Sequence, residues 1–103
     1  MKLWIDDVRP APNSHYVTAK SVNEAIEIIK EHTALGWDID LIDIDHDAGD
    51  YACDGGDYIK LLDWLEETGR NYPIRIHSMN PVGVANMRAI IKKNGWTEVS
   101  NGA

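Results

Sequence analysis

The sequence predicts an α/β domain in which helices cover both faces of a parallel sheet. Short apolar segments alternate along the chain with amphipathic segments of helical period, an order that favours parallel strands joined by helices. Turn-forming sequences separate these segments, such as "RPAPNS" at 9–14 and "DGG" at 54–56. A length of 103 residues is typical of one domain, so we predict a single domain over residues 1–103.

The first half of the chain is predicted to contain three strands and one helix. The helix begins with a capping box, in which Ser21 and Glu24 satisfy free backbone amides. A loop with two prolines, residues 6–15, follows the first strand. The predicted elements are strands over 2–6, 16–19 and 40–45 and a helix over 21–32.

The second half is predicted to contain two helices and two strands. The last helix has Asn80 as its N-cap, Pro81 in its first turn and Gly95 past its end. The predicted elements are helices over 57–67 and 81–93 and strands over 73–77 and 96–99.

Composition narrows the classes of partner. The net charge of −7 argues against an extended nucleic-acid-binding surface. No apolar run is long enough to span a membrane, and the start "MKLWIDD" does not have the form of a signal peptide, so we predict a cytoplasmic protein. Cys53 is the only cysteine, which excludes an internal disulfide. The four tryptophans are expected to pack in and around the core.

Polar residues cluster where three predicted strands end. Asp6 and Asp7 end the first strand, residues 45–47 end the 40–45 strand, and His77 ends the 73–77 strand. Ligands of parallel α/β sheets bind beyond the carboxyl ends of the strands. We therefore predict that these segments meet in one site.

Four aspartates at these strand ends are candidate metal ligands: Asp6, Asp7, Asp45 and Asp47. Carboxylates this close either hold protons or share a cation, and their oxygens suit Mg²⁺, Mn²⁺ or Ca²⁺. The alternative for Asp47, and for Asp50, is a solvated loop in which they cap backbone amides.

Two further residues flank these acids. Asp43 shares a strand face with Asp45 and is either another ligand or a residue beside the ligands that bonds a backbone group. His46 lies between Asp45 and Asp47 and is either a ligand or a donor beside the ligands.

A phosphate-binding role is the second chemical prediction. His77 suits a general acid or base because histidine titrates near neutrality. Ser78 can donate to a phosphate oxygen, and the helix N-terminus after Asn80 favours an anion. Arg9 can clamp a phosphate bidentately. The alternatives are a plain helix cap with a core histidine, and an ion pair between Arg9 and the acids.

The order "VTAKSVNEAIEII", "DLIDID", "DGGDYIKLLDWL" and "YPIRIHS" resembles a response-regulator receiver domain. The resemblance implies a flavodoxin-like three-layer α/β/α sandwich with a five-stranded parallel sheet in the order 2-1-3-4-5. It implies that Asp6 and Asp7 are the acidic metal pair and that Asp45 takes the place of the phospho-accepting aspartate. The first receiver helix is replaced by the proline-containing loop, and "GWTEVS" lacks the receiver lysine.

Three motifs, "LWIDDVRPAP", "IDIDHDAGD" and "IHSMNPVGVANM", look like the cyclic-phosphate-processing receiver domain family. Ala48 departs from that pattern, in which a leucine is expected. The resemblance implies a receiver-like fold whose site acts on cyclic phosphates, either cyclic nucleotides or cyclic-phosphate ends of RNA.

The function predicted from these features is a metal-dependent phosphoesterase that opens a cyclic phosphodiester. Asp6, Asp7 and Asp45 would hold Mg²⁺ or Mn²⁺, and His77 would protonate the leaving oxygen or orient a water. Asp45 as a covalent nucleophile is the alternative route. The expected partner is a small phosphorylated ligand or an RNA end. The main alternative function is a signalling or binding module in which Asp45 accepts a phosphoryl group, and a third is a partner-binding domain with a vestigial site.

Overall fold

A computed structural model describes residues 1–100 and contains a four-stranded parallel sheet in the order β2-β1-β3-β4. Three α-helices and one short 3₁₀ turn connect the strands. In chain order the elements are β1 Lys2–Ile5, β2 Tyr16–Ala19, α1 Val22–Ala34, β3 Leu41–Ile44, the 3₁₀ turn Gly49–Cys53, α2 Ile59–Glu67, β4 Ile74–Ile76 and α3 Pro81–Lys93.

One face of the sheet carries the core. Leu3 lies opposite Ile42 in the β1–β3 register, and Ile42 lies opposite Ile74 in the β3–β4 register. The buried side chains of all three helices join these residues in one apolar cluster, since each helix repeats its apolar positions at helical spacing. The helical members are Val22, Ala25, Ile29, Leu61, Leu62, Leu65, Met87 and Ile91.

The opposite face of the sheet is polar and aromatic. Trp4, Asp43 and Arg75 lie side by side in the registers of β1, β3 and β4, and none belongs to the apolar cluster. Lys2 and Thr18 on this face are exposed. Within residues 1–100 the helices therefore form one layer over one face, and the predicted three-layer sandwich is corrected to two layers. The reason is that residues 6–15 form a loop where a receiver has a helix, as predicted.

The predicted fifth strand is wrong in extent. Residues 96–99 form only a single parallel bridge, between Ile74 and Glu98. The Ile74 N–H donates to the Thr97 carbonyl at 3.0 Å, and the Val99 N–H donates to the Ile74 carbonyl at 2.7 Å. Because β4 has only three residues, it offers little edge for a further strand. The four strands that form follow the first four positions of the predicted order.

The predicted helix caps are present, with one difference. The Ser21 hydroxyl accepts the Glu24 N–H at 3.0 Å, but the Glu24 carboxylate accepts the N–H of Lys20 at 2.7 Å. In a standard capping box this carboxylate would accept the N–H of the N-cap residue Ser21, so here its acceptor bond is shifted by one residue. The Asn80 side chain accepts the Gly83 N–H at 3.0 Å, and Pro81 is the first residue of α3. No helix within residues 1–100 is long and apolar enough to cross a membrane.

Candidate functional site

Asp6, Asp7 and Asp45 meet at the carboxyl ends of β1 and β3. These strands are neighbours, with Ile5 opposite Ile44, so the residues that follow them emerge side by side. One carboxylate oxygen from each aspartate lies within 4.8 Å of the other two. Asp6 is 1% exposed and Asp45 is 9% exposed, so two of the three carboxylates are largely removed from water.

Asp6 is the most firmly held of the three. One of its oxygens, Oδ1, accepts the N–H groups of Val8 at 3.0 Å and Arg9 at 2.8 Å. Its other oxygen, Oδ2, lies 2.9 Å from Nε2 of His77. Burial raises the pKa of Asp6, but these donors outweigh it and leave the pKa below its ordinary value. The turn after β1 therefore keeps Asp6 as a carboxylate.

Asp7 has the opposite environment. Burial raises its pKa, its own backbone N–H opposes that rise, and the nearby charges of Asp6 and Asp45 add to it. Gly49, in the loop after β3, lies close to this carboxylate. A Cβ atom at Gly49 would overlap Asp7 Oδ2, and the φ of +54° of Gly49 also favours glycine. Asp7 is therefore confined beside two like charges.

This donor set fits a hard divalent cation. Three carboxylate oxygens converge, and their mutual repulsion is what a cation would relieve. Oxygens on opposite sides of Mg²⁺ lie about 4 Å apart, since each bond is about 2.0–2.1 Å long. The three carboxylate oxygens lie within 4.8 Å of one another, an upper bound that exceeds this widest separation in a Mg²⁺ shell, so binding would draw them closer together. The three aspartates supply only part of a six-fold shell, which leaves positions for water or phosphate oxygens.

Asp47, the fourth predicted ligand, lies outside this three-carboxylate group. Its side chain is exposed, and its Oδ1 lies 2.8 Å from Nδ1 of His46 and 3.4 Å from the amide nitrogen of Asn80. The His46 ring packs against the first turn of α3, where a Cβ at Gly83 would overlap it. His46 thus lies outside the three-carboxylate group. Asp50 is exposed in the 3₁₀ turn.

His77 lies on the polar face of the sheet, between two carboxylates. Its Nδ1 is 2.7 Å from Asp43 Oδ1 and its Nε2 is 2.9 Å from Asp6 Oδ2. Its ring stacks on Trp4 at a centroid distance of 3.9 Å and an angle of 3°. The His77 side chain is 9% exposed. Both ring nitrogens are therefore occupied within the protein.

The partners of Asp43 are side chains. The two alternatives considered from the sequence were a metal ion and a backbone group. Besides His77, its Oδ2 accepts from Arg75 Nη1 at 3.2 Å and from the Tyr16 hydroxyl at 3.4 Å. It stands outside the three-carboxylate group. The cost of burying this aspartate in a strand is offset by Arg75 on β4, by His77 directly after β4 and by Tyr16 on β2.

The predicted phosphate-binding residues border the same edge. Arg9 is half-exposed, with its Nη1 3.4 Å from the His77 carbonyl and its Nε 3.8 Å from Asp6 Oδ2. The Ser78 hydroxyl accepts the Asn80 N–H at 3.1 Å, so its own proton remains available to a ligand. Its position is half-buried.

The N-terminus of α3 offers fewer amides than the sequence suggested. Pro81 has no N–H, and Asn80 accepts the N–H groups of Gly83 and Val84 through its side chain and its carbonyl. In the first turn this leaves the Val82 N–H for a ligand. Asn80 therefore serves as the predicted cap, at the expense of an anion-binding turn.

Sequence reasoning missed four residues that shape the site. Trp4 was assigned to packing, and its ring is also the platform for His77. Asp57 Oδ1 accepts the Ala48 N–H at 3.0 Å and so holds the loop that carries Gly49. Gly49 and Gly83 both permit close approach to site residues. The glycines were the available signal, because Gly49 lies within the motif "IDIDHDAGD" and Gly83 within "IHSMNPVGVANM".

One comparison with known proteins, that with protein families, agrees with the motifs. The curated proteins give no match to this sequence. Residues 1–93 match the family described as "cyclic-phosphate processing Receiver domain". The matched segment contains all three aspartates of the site, together with Arg9 and His77. The chain therefore belongs to the cyclic-phosphate processing receiver domain family.

Proposed function

We propose that this protein is a metal-dependent phosphoesterase that opens cyclic phosphodiesters, with cyclic nucleotides or cyclic-phosphate ends of RNA as the candidate substrates. The observation that carries the proposal is the group formed by Asp6, Asp7 and Asp45. Membership of a family described by cyclic-phosphate processing supports the substrate class. The acid group supports a cation site at this edge of the sheet, and the half-exposed Arg9 beside it supports hydrogen bonding to a phosphate.

Asp6, Asp7 and Asp45 would hold Mg²⁺ or Mn²⁺. Such a cation, when bound, polarises a phosphoryl group and makes a coordinated water more acidic. The protein contributes a fixed and largely dehydrated set of oxygens. Asp6 is kept ionised by its backbone donors, so it can bind without first losing a proton.

Arg9, Ser78 and the Val82 N–H would bind the phosphate oxygens. The Arg9 side chain is 49% exposed, and its guanidinium makes only long contacts, of 3.4 and 3.8 Å. A phosphate could therefore bind the guanidinium without breaking a short contact. Ser78 retains a hydroxyl proton to donate. The hydrogen bonds of these donors would stabilise the negative charge that develops on the phosphate oxygens in the transition state of ring opening.

A signalling module is the second candidate, because Asp45 stands where a receiver accepts its phosphoryl group. Asp45 Oδ1 accepts the His46 N–H at 2.8 Å, and its carboxylate is adjacent to Asp6 and Asp7. The receiver lysine has no counterpart in residues 96–99, which are Trp96, Thr97, Glu98 and Val99. Labelling with acetyl phosphate that disappears in Asp45→Ala would favour this candidate.

Phosphorus NMR tests the proposed hydrolysis directly. The protein is incubated with Mg²⁺ or Mn²⁺ and a panel of cyclic nucleotides and cyclic-phosphate RNA ends. We expect a ring-opened monoester signal with at least one substrate, and its loss in Asp45→Asn and after chelation of the metal. Glu27→Gln, which removes an exposed acid of α1, is the matched control and should retain activity. Metal binding without turnover across the panel would refute the hydrolase.

A further inference from the structure

The hydrogen-bond chain Asp43–His77–Asp6 crosses three strands of the sheet. It runs from β3 through the residue after β4 to the residue after β1, with distances of 2.7 and 2.9 Å. Ionised carboxylates only accept hydrogen bonds, so the ring donates to Asp6 when Nε2 carries a proton and to both carboxylates when both ring nitrogens do. The chain ends on Asp6, which is one of the three converging carboxylates.

The His77 ring is fixed on every side that the structure describes. Asp43, at its far end, is 1% exposed and is itself held by Arg75 and Tyr16. The flat face of the ring stacks on Trp4, whose indole N–H donates to the Arg9 carbonyl at 2.8 Å. The ring therefore has no freedom to turn toward a substrate without breaking two short hydrogen bonds and a stacking contact.

The effect on Asp6 follows from counting its acceptor positions. An ionised carboxylate offers about four lone-pair positions. Val8 and Arg9 take two on Oδ1, and His77 takes one on Oδ2. One position on Oδ2 remains for a cation. The backbone donors hold Oδ1, so the contacts that orient Oδ2 are the His77 ring at 2.9 Å and, at a longer distance of 3.8 Å, Nε of Arg9.

We propose that His77 is a positioning residue, with Asp43 as its support, that aims Asp6 at the cation and exchanges no proton with the substrate. This inference rests on the cation site of the proposed function, though not on its reaction. It replaces the acid–base role that the sequence suggested for His77. Residues outside a metal's ligand shell that orient a ligand commonly change metal affinity about 10- to 100-fold when removed.

Mn²⁺ binding to His77 variants tests this role without reference to activity. The amide nitrogen of glutamine can stand near histidine Nε2, and that of asparagine near Nδ1. His77→Gln therefore keeps a donor toward Asp6, while His77→Asn keeps only a donor toward Asp43. The affinity is measured from the electron paramagnetic resonance signal of free Mn²⁺, and a circular dichroism melt without metal checks folding.

We expect His77→Ala and His77→Asn to weaken Mn²⁺ binding about 10- to 100-fold, and His77→Gln to stay within about three-fold of the wild type. Asp43→Asn, which still offers His77 an oxygen, should lose less affinity than Asp43→Ala. His32→Gln is the control, since that histidine bonds the Ile28 carbonyl on α1. Should His77→Ala fail to fold, the glutamine and asparagine variants decide, because both retain an amide.

Three results would overturn the inference. Unchanged Mn²⁺ affinity in all His77 variants would show that Asp6 needs no support. Equal losses in His77→Gln and His77→Asn would show that only packing matters at this position. A wild-type protein that binds no Mn²⁺ would remove the cation site, and with it the proposed metal-dependent function, which separates that failure from the first two.

Discussion

Gly49 should control the cation site through Asp7, and Gly49→Ala is the sharpest test of the geometry. The new Cβ would overlap Asp7 Oδ2, and because that atom ends a side chain, the overlap is relieved when the Asp7 carboxylate turns away from residue 49. Such a turn displaces one of the three converging carboxylates. We therefore expect Mn²⁺ affinity to fall, by about 10-fold or more if Asp7 no longer reaches the cation.

The same substitution carries a backbone cost that must be separated from the effect on the metal. Gly49 has a φ of +54°, and a non-glycine residue in the left-handed region costs about 1–2 kcal/mol. Each kcal/mol lowers the melting temperature of a domain of this size by about 4–8 °C. Gly36 has a φ of +78° with no atom within 4 Å of a Cβ, so Gly36→Ala carries the same backbone cost without touching the site.

The assay combines thermal melts without metal and Mn²⁺ titration of both alanine variants. Both variants should melt several degrees lower than the wild type, and only Gly49→Ala should bind Mn²⁺ more weakly. Unchanged Mn²⁺ affinity in Gly49→Ala would refute the reasoning, because Asp7 would then either be no ligand or be free to move without cost.

Three further substitutions follow from the same contacts. Asp7→Asn should raise the free energy of unfolding without metal at pH 7, because a carboxylate with a raised pKa destabilises the folded state above that pKa, and this cost disappears as falling pH protonates the group. Urea unfolding at pH 7 and pH 4 should show a smaller gain at the lower pH, and Mn²⁺ binding should be weaker. A loss of stability at pH 7 would contradict this prediction. Gly83→Ala, which in an ordinary helix gains about 1 kcal/mol, should instead destabilise the protein because the methyl would displace the His46 ring, and a gain in denaturant midpoint would show that the ring moves freely. Asn80→Ala should cost about 1 kcal/mol of unfolding free energy through the lost cap of α3, measured by urea unfolding, and Asn80→Asp should recover most of it.

Three of the four aspartates predicted as metal ligands, Asp6, Asp7 and Asp45, could be placed together from the sequence. The strands carry their own signals, in apolar segments bounded by turns, and parallel strands end at one edge of a sheet. The convergence of Asp6, Asp7 and Asp45 follows from that rule, and the structure brings them together. The Asn80 cap and the limits of α3 were also predicted, because a cap depends on neighbours along the chain.

The contacts that each side chain makes within the site could be seen only in the folded chain. The hydrogen-bond partners of His77 are Asp43 on β3 and Asp6 after β1. The alternation of residues along one strand does not reveal its register with neighbouring strands, so these partners could not be predicted. The position of Asp47 depends on the path of a loop held by Asp57. Within residues 1–100 the predicted second layer of helices and the predicted full fifth strand were wrong for a related reason, since each requires a distant segment to cover a face or an edge of the sheet. Local pattern specifies the elements and their ends, while register and loop path specify the contacts between them.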